Sequence, residues 1–452
     1  MKRKQRQNTV LEACSEEVQQ SSKRGISRRQ FVQASAGVVA AGALLGKRAF
    51  AAPKPLKIGY VSPETGDFAP FGESDAFVVG EIRKLVQGGI QSGGTTRQVE
   101  LLVRDSQSSP NRAAEVAAQL IKSDNIDLMV SAGTPETVNP VTDQCEINQC
   151  PSVSTDDPWQ SFFFGRGGKP DKGFDWTYHF FWGGEAIRQT FGEIVTLVPS
   201  NKVLGILCGN DPDGILWSGP NGAPPAFKEE GFTIVDPGRF LTNTTDFSAE
   251  ISEYKKANAE VVFGNLPFPI FATFWSQAAQ QGFRPKIAAI SKGLLMPSAI
   301  DSLGPRGKYL STEVWWTNHH PFKSSLTGQS AQQLCDQFEA ATKKQWMQAL
   351  GFRHALYEVA LDVFKRAQNP DSSASVIDAV RKTRLNTIVG PVQWLGAPPN
   401  QWLKIPVKNV CTTPLVGGQW VPGKKWPYDL VVTANDAYPP IAVDRKMMPL
   451  PT

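Results

Sequence analysis

The sequence predicts an α/β fold made of two doubly wound parallel-sheet lobes, and three observations carry the prediction. Short apolar runs alternate with stretches at helical spacing, twice over, which is the pattern of parallel strands covered by helices on both faces. The strand runs are apolar throughout, as strands buried on both sides must be. The 452 residues also exceed what one hydrophobic core usually serves, so two lobes are expected.

The N-terminal segment reads as an export address. Ser27-Arg28-Arg29-Gln30-Phe31-Val32-Gln33 precedes an apolar run over 34–45 and then Ala49-Phe50-Ala51. That run is too short for a membrane span, which needs ~20 residues. The paired arginines and the small-x-small site resemble a twin-arginine signal over residues 1–51, cleaved after Ala51. A periplasmic location follows as an expectation.

Removing the leader reverses the charge argument. The chain holds 47 Lys+Arg and 42 Asp+Glu, of which residues 1–51 carry ten and three, leaving 37 against 39. The basicity therefore belongs to the leader, and a nucleic-acid partner loses its electrostatic support. Of six cysteines, Cys14 leaves with the leader. Cys145 and Cys150 are close enough in sequence to bridge, although two buried thiols fit the same spacing.

Taken in order, residues 56–61 form the first strand. Residues 73–87 form a helix with Phe77, Val78, Ile82, Leu85 and Val86 on one side. A strand over 99–105 follows, then a helix opened by Ser109-Pro110, a cap with proline in the first turn. Strands over 126–131 and 152–155 close the first unit, and 156–175 is a loop crowded with Gly, Pro and Phe. Strands over 202–208, 232–235, 259–264 and 286–291, with helices over 226–230, 247–257 and 270–281, repeat the plan. Helices over 331–345, 350–368 and 375–383 then complete the first lobe, and short antiparallel strands with an extended tail follow residue 415.

Ligands of open parallel sheets bind beyond the carboxyl ends of the strands. The loops there are 63–72, 132–137 and 155–159 in the first unit, and 209–214, 265–269 and 291–293 in the second. Trp159, Trp182, Trp217 and Trp275 lie in or beside them and could stack on a planar ligand. His319-His320 has no carboxylate or cysteine at metal-ligand spacing and reads as a solvated loop pair. No Gly-x-Ser-x-Gly elbow or phosphate loop is present, so neither enzymatic activity nor a cofactor is expected.

Several motifs in fixed order resemble the type I periplasmic solute-binding proteins of the branched-chain amino acid transporter class. They are Thr65-Gly66-Asp67-Phe68-Ala69-Pro70-Phe71-Gly72, Asp105-Ser106 with Pro110, Pro151-Ser152-Val153-Ser154, Asp246-Phe247-Ser248 and Thr387-Ile388-Val389-Gly390-Pro391-Val392. The resemblance runs from about residue 56 to the early 420s and implies two lobes joined by three crossing strands, near 178–182, 312–316 and 389–392. It places residues 54–180 and 317–388 in lobe 1, and 181–316 and 389–452 in lobe 2. It further implies a monomeric receptor that closes about its hinge on a small ligand, delivers it to ABC permease subunits and meets the twin-arginine translocase during export.

The resemblance also implies a site. Backbone amides and hydroxyls at Ala132, Gly133, Thr134, Glu136 and Thr137, with Thr155 and Asp156, would hold a carboxylate. Phe71 and Trp182 would pack on the ligand, and Leu266 and Phe268 would meet it from the other lobe. Lys292 stands where amino-acid binders carry an acid, and Asp213 where many relatives place an aromatic. A lysine there favours an anionic group on the ligand, so a small carboxylate with an apolar or aromatic body is expected. An amino acid is the second choice, with Asp156, Asp211 or Asp213 pairing its ammonium. An exported hydrolase and a sensing subunit of a signalling receptor are the rival readings.

Overall fold

The computed structural model describes residues 53–241, 243–394 and 407–451. The expected leader, with Arg28, Arg29 and the expected cleavage after Ala51, lies outside the described residues. From Pro53 onward the chain forms one compact unit.

The first lobe runs β1 (Leu56–Ser62), α1 (Asp75–Leu85), a β2–β3 hairpin (Ile90–Ser92, Thr95–Arg97), β4 (Val99–Asp105), α2 (Pro110–Lys122), β5 (Leu128–Ala132), α3 (Pro135–Ile147), β6 (Ser152–Thr155), α4 (Trp159–Phe164) and β7 (Thr177–Phe180). All five residues of β5 are buried, as a central parallel strand requires. At the start of α2 the Ser109 hydroxyl accepts the Arg112 N–H at 3.4 Å, with Pro110 in the first turn. Ala113, Val116, Ala117 and Leu120 then form its buried side.

The second lobe continues with α5 (Gly184–Ile194), β8 (Val203–Cys208), α6 (Pro212–Ser218), α7 (Pro224–Glu229), β9 (Thr233–Val235), α8 (Ser248–Lys256), β10 (Val261–Leu266), α9 (Phe268–Gln280), β11 (Ile287–Lys292), α10 (Pro297–Ser302) and β12 (Ser311–Val314). The chain returns to the first lobe with α11 (Ala331–Thr342), α12 (Ala349–Arg366), α13 (Ser373–Arg381), the hairpin β13 (Arg384–Thr387) and β14 (Gly390–Gln393), and β15 (Val410–Cys411). It ends in the second sheet with β16 (Val416–Pro422) and β17 (Tyr428–Ala434).

Strand order is β15-β7-β6-β5-β1-β4 in one sheet and β17-β16-β12-β11-β10-β8-β9 in the other. The first is wholly parallel, whereas β16 and β17 join the second antiparallel. In the first sheet the chain leaves β1 toward β4 and comes back past it to β5. In the second it leaves β8 toward β9 and comes back to β10. Strand direction of travel therefore reverses between β1 and β5 and between β8 and β10, and these switch points are where loops part to leave a crevice.

Three passages join the sheets, over 181–183, 315–330 and 412–415. The first two fall beside the expected crossings. The third does not: Val389 and Gly390 turn the β13–β14 hairpin, and β15 pairs with β7 before the chain crosses. Residues 410–411, expected in the second lobe, thus sit in the first sheet. The cysteine bridge also fails, because Cys145 and Cys150 are free buried thiols in a cluster with Val116, Met129 and Val141. The adjoining Cys145 thiol, and after it burial, hold the Cys150 thiol well above its usual range. No helix among the described residues is long and apolar enough to cross a membrane.

Candidate functional site

The two switch points face each other across one narrow cavity, lined by strand-end loops of both lobes and by the passages between them. A separate hollow beside Trp275 and Arg284 is an outer surface groove that shares none of these residues. Phe181, Trp182 and Trp315 come from the first two passages, Phe71 from the turn after β1 and Trp217 from α6. Their rings form a continuous wall. Centroids are 4.5 Å apart for Phe181 and Trp182, 5.0 Å for Phe181 and Trp315, and 6.0 Å both for Phe71 and Trp315 and for Trp182 and Trp217. The indole N–H groups of Trp182 and Trp217 are buried and find no acceptor in the protein.

Two buried cations organise the carboxylates around this wall. Arg353, fully buried on α12, donates to Asp75 at 2.9 Å, to the Phe71 carbonyl at 2.8 Å and to Asp156. It thereby pins the Phe71 turn to the end of β6. Lys292, whose side chain is 4% exposed, donates to Asp213 at 2.9 Å within its own lobe and to Glu136 at 3.1 Å across the cleft. Its ammonium also lies 4.9 Å from the centre of the Phe68 ring of the first lobe.

Local backbone aims these groups. Asp156 (φ +70°) and Lys292 (φ +63°) both adopt the left-handed region, which side-chain-bearing residues avoid. Such strain is held where the surroundings fix it, and it clusters at functional sites. Gly133 (φ +143°) turns β5 into α3; a Cβ there would meet the Thr137 hydroxyl at 2.7 Å and Pro63 at 3.1 Å.

Charge is kept down by burial. Burial pushes the Asp213 carboxyl up to about 7 even with Lys292 pulling the other way. Glu136 is also desolvated, but the Lys292 ammonium outweighs this and holds it below its usual range. Lys292 itself loses solvation and is nevertheless raised, by Asp213 first and then Glu136, so it stays protonated. Burial raises Glu313 to about 7, although the Ser291 hydroxyl donates to it at 2.6 Å. Asp157, fully buried beside Asp213 and Glu136, is pushed well up, chiefly by desolvation.

Of the residues expected to form the site, Phe71, Thr134, Asp156, Trp182, Asp213 and Lys292 line the cavity, and Glu136 reaches it through Lys292. Lys292 departs from expectation, because its charge is taken by two carboxylates of the chain itself. Asp156 is likewise engaged by Arg353. Ala132 is buried at the end of β5, and Thr137 and Thr155 spend their hydroxyls on the carbonyls of Thr134 and Phe180. Asp211 caps α6, accepting the Gly214 N–H at 2.9 Å. Leu266 packs in the second-lobe core and Phe268 opens α9 outside the lining, where Asn265 stands instead.

Among the tryptophans, Trp182 and Trp217 line the cavity, while Trp159 donates to Glu185 and Trp275 to the Arg306 carbonyl. Trp315, in the second expected crossing, walls the cavity, while Trp316 packs on α12. His320 is buried rather than solvated, and only His319 meets a partner at the surface, Asp444 at 2.9 Å. Sequence reading missed Arg353, Glu313 and Asp157. The one available signal was a charged residue inside the apolar run of α12.

The family model described as periplasmic binding protein matches residues 55–401. Among solved structures, the chain is similar to a leucine-binding protein, LivK, from Thermotoga maritima, with 18% identity and a TM-score of 0.63 over 84% of this chain and 99% of that one. It is similar to the branched-chain amino acid transporter substrate-binding protein LivJ from Streptococcus pneumoniae in complex with isoleucine, at 14% identity and TM-score 0.63 over 84% and 100%. A solute-binding protein of an ABC transporter from R. palustris in complex with benzoate gives 16%, 0.63, 85% and 98%. At these identities the structures establish the shared fold alone.

Proposed function

Because the chain belongs to the periplasmic binding protein family, we propose that it is the extracytoplasmic substrate-binding component of an ABC importer, taking a small carboxylate-bearing solute with an aromatic or apolar body. The observation that carries this reading is the pair of unpartnered indole donors, Trp182 and Trp217, set in an aromatic wall between facing strand ends. Buried donors without acceptors favour a ligand that brings oxygen lone pairs. Flat rings favour a planar or branched apolar body. Benzoate in one structural neighbour and isoleucine in another lie within that chemical range.

Hinge closure supplies the mechanism. Solute meets the strand-end loops of one lobe, closure adds contacts from the other, and the closed shape is what permease subunits recognise. Export by the twin-arginine translocase, action as a monomer and two lobes turning about the passages belong to the same proposal.

Thermal shift of the mature protein with benzoate, 3-phenylpropanoate and isoleucine, followed by recovery of the ligand, tests it. A receptor gains about 2.7 kcal/mol at a ligand concentration of 100 times Kd and returns the ligand unchanged. Consumption of the ligand would make the protein an enzyme and not a receptor, and stabilisation by none of the three would exclude this solute class.

A further inference from the structure

Lys292 sits in a corner shared by three carboxylates. One carboxylate oxygen from each of Glu136, Asp211 and Asp213 lies within 4.8 Å of the others. The Lys292 ammonium contacts two of these residues, at 3.1 and 2.9 Å, and takes the Phe68 ring at 4.9 Å as a fourth wall. Two carboxylates, a third nearby and an aromatic face are the surroundings a free ammonium group would seek. The lysine reaches them from a left-handed backbone position between buried Ser291 and Gly293, a conformation that no intrinsic preference of lysine supports. The strain buys one thing, the delivery of a tethered charge to this point of the cleft.

We propose that Lys292 is a specificity-determining residue: its ammonium occupies the acidic corner shared by Glu136, Asp211 and Asp213, so that the cleft closes on solutes lacking a cationic group and rejects those carrying an α-ammonium. This inference rests on the receptor reading above and narrows its solute class. The same bridge joins the lobes, since Glu136 belongs to the first and Lys292 and Asp213 to the second. An amino acid entering this cleft would place a second ammonium against the first, whereas its des-amino analogue leaves the corner undisturbed. Like charges brought together in a desolvated cleft are strongly disfavoured.

The test compares mature wild-type protein with Lys292→Met and with the double variant Asp213→Asn/Lys292→Met, each checked for folding by circular dichroism. Two probes are titrated separately. Terbium(III), read by luminescence sensitised through the nearby tryptophans, reports the acidic corner whatever the natural ligand is. The pair 3-phenylpropanoate and phenylalanine, which differ by the α-ammonium alone, reports selectivity.

The expected result is one terbium site in Lys292→Met, at least roughly tenfold tighter than in wild type and lost in the double variant. The affinity ratio of phenylalanine to 3-phenylpropanoate should rise by a similar factor in Lys292→Met. Equal terbium binding by wild type and Lys292→Met overturns the role of Lys292, and the receptor reading then stands or falls on 3-phenylpropanoate alone. A terbium site gained in Lys292→Met, with neither organic probe bound by any variant, supports the tethered cation and overturns the carboxylate reading.

Discussion

Arg353 and Glu313 show how single buried charges set up the cleft. Arg353 contacts Asp75, Asp156 and the Phe71 carbonyl at once. Arg353→Met should therefore strand two buried carboxylates and cost about 3–5 kcal/mol of unfolding free energy. Urea titration reads this, and a loss below 1 kcal/mol would show that the pairs are dispensable. Glu313, raised to about 7 by burial, lines the same cavity. Above that pH it ionises and repels a bound carboxylate; below it Glu313 is neutral, while a ligand carboxyl near pKa 4.3 remains charged. Affinity for benzoate should accordingly weaken severalfold from pH 6 to pH 8. Glu313→Gln should flatten that slope, and an identical slope in the variant would remove Glu313 from the effect.

At the scale of elements, the strand and helix grammar was legible because each β-α unit hides its own apolar face. The runs at 56–61, 99–105 and 286–291 needed no distant partner to be recognised. The loops after β1, β5, β8 and β11 were found for the same reason, since the switch points follow from strand order. Contacts made across sequence were not legible. Arg353 meets Asp75 from 278 positions away, and nothing local marks either residue as half of a pair. The six-residue α4 is apolar on nearly every side and shows no helical period to read. The third crossing was misplaced because the β13–β14 hairpin resembles a passing strand until its pairing is known. The turn from β5 into α3 offers a sharp test. Gly133→Ala forces a Cβ onto Thr137 and Pro63 at a backbone angle open mainly to glycine. A loss of at least about 1 kcal/mol in stability is expected, together with weakened solute binding. Unchanged binding would detach this turn from the site.

The whole molecule is two sheets whose switch points meet, with an aromatic wall taken largely from the passages that join them. Trp182 and Trp315 lie in the first two passages, so any rotation of one lobe on the other re-forms the cavity itself. The Lys292 bridge spans the same gap. In the proposed receptor, selectivity would be set by which ligand completes the closed arrangement. The most direct measurement is mass spectrometry of the small molecule released on denaturing freshly purified protein. The expected result is about one equivalent per chain of a small carboxylic acid with an aromatic or apolar body and no amino group. Release of an α-amino acid would contradict the role given to Lys292, and release of a solute without any carboxyl group would contradict the receptor reading itself.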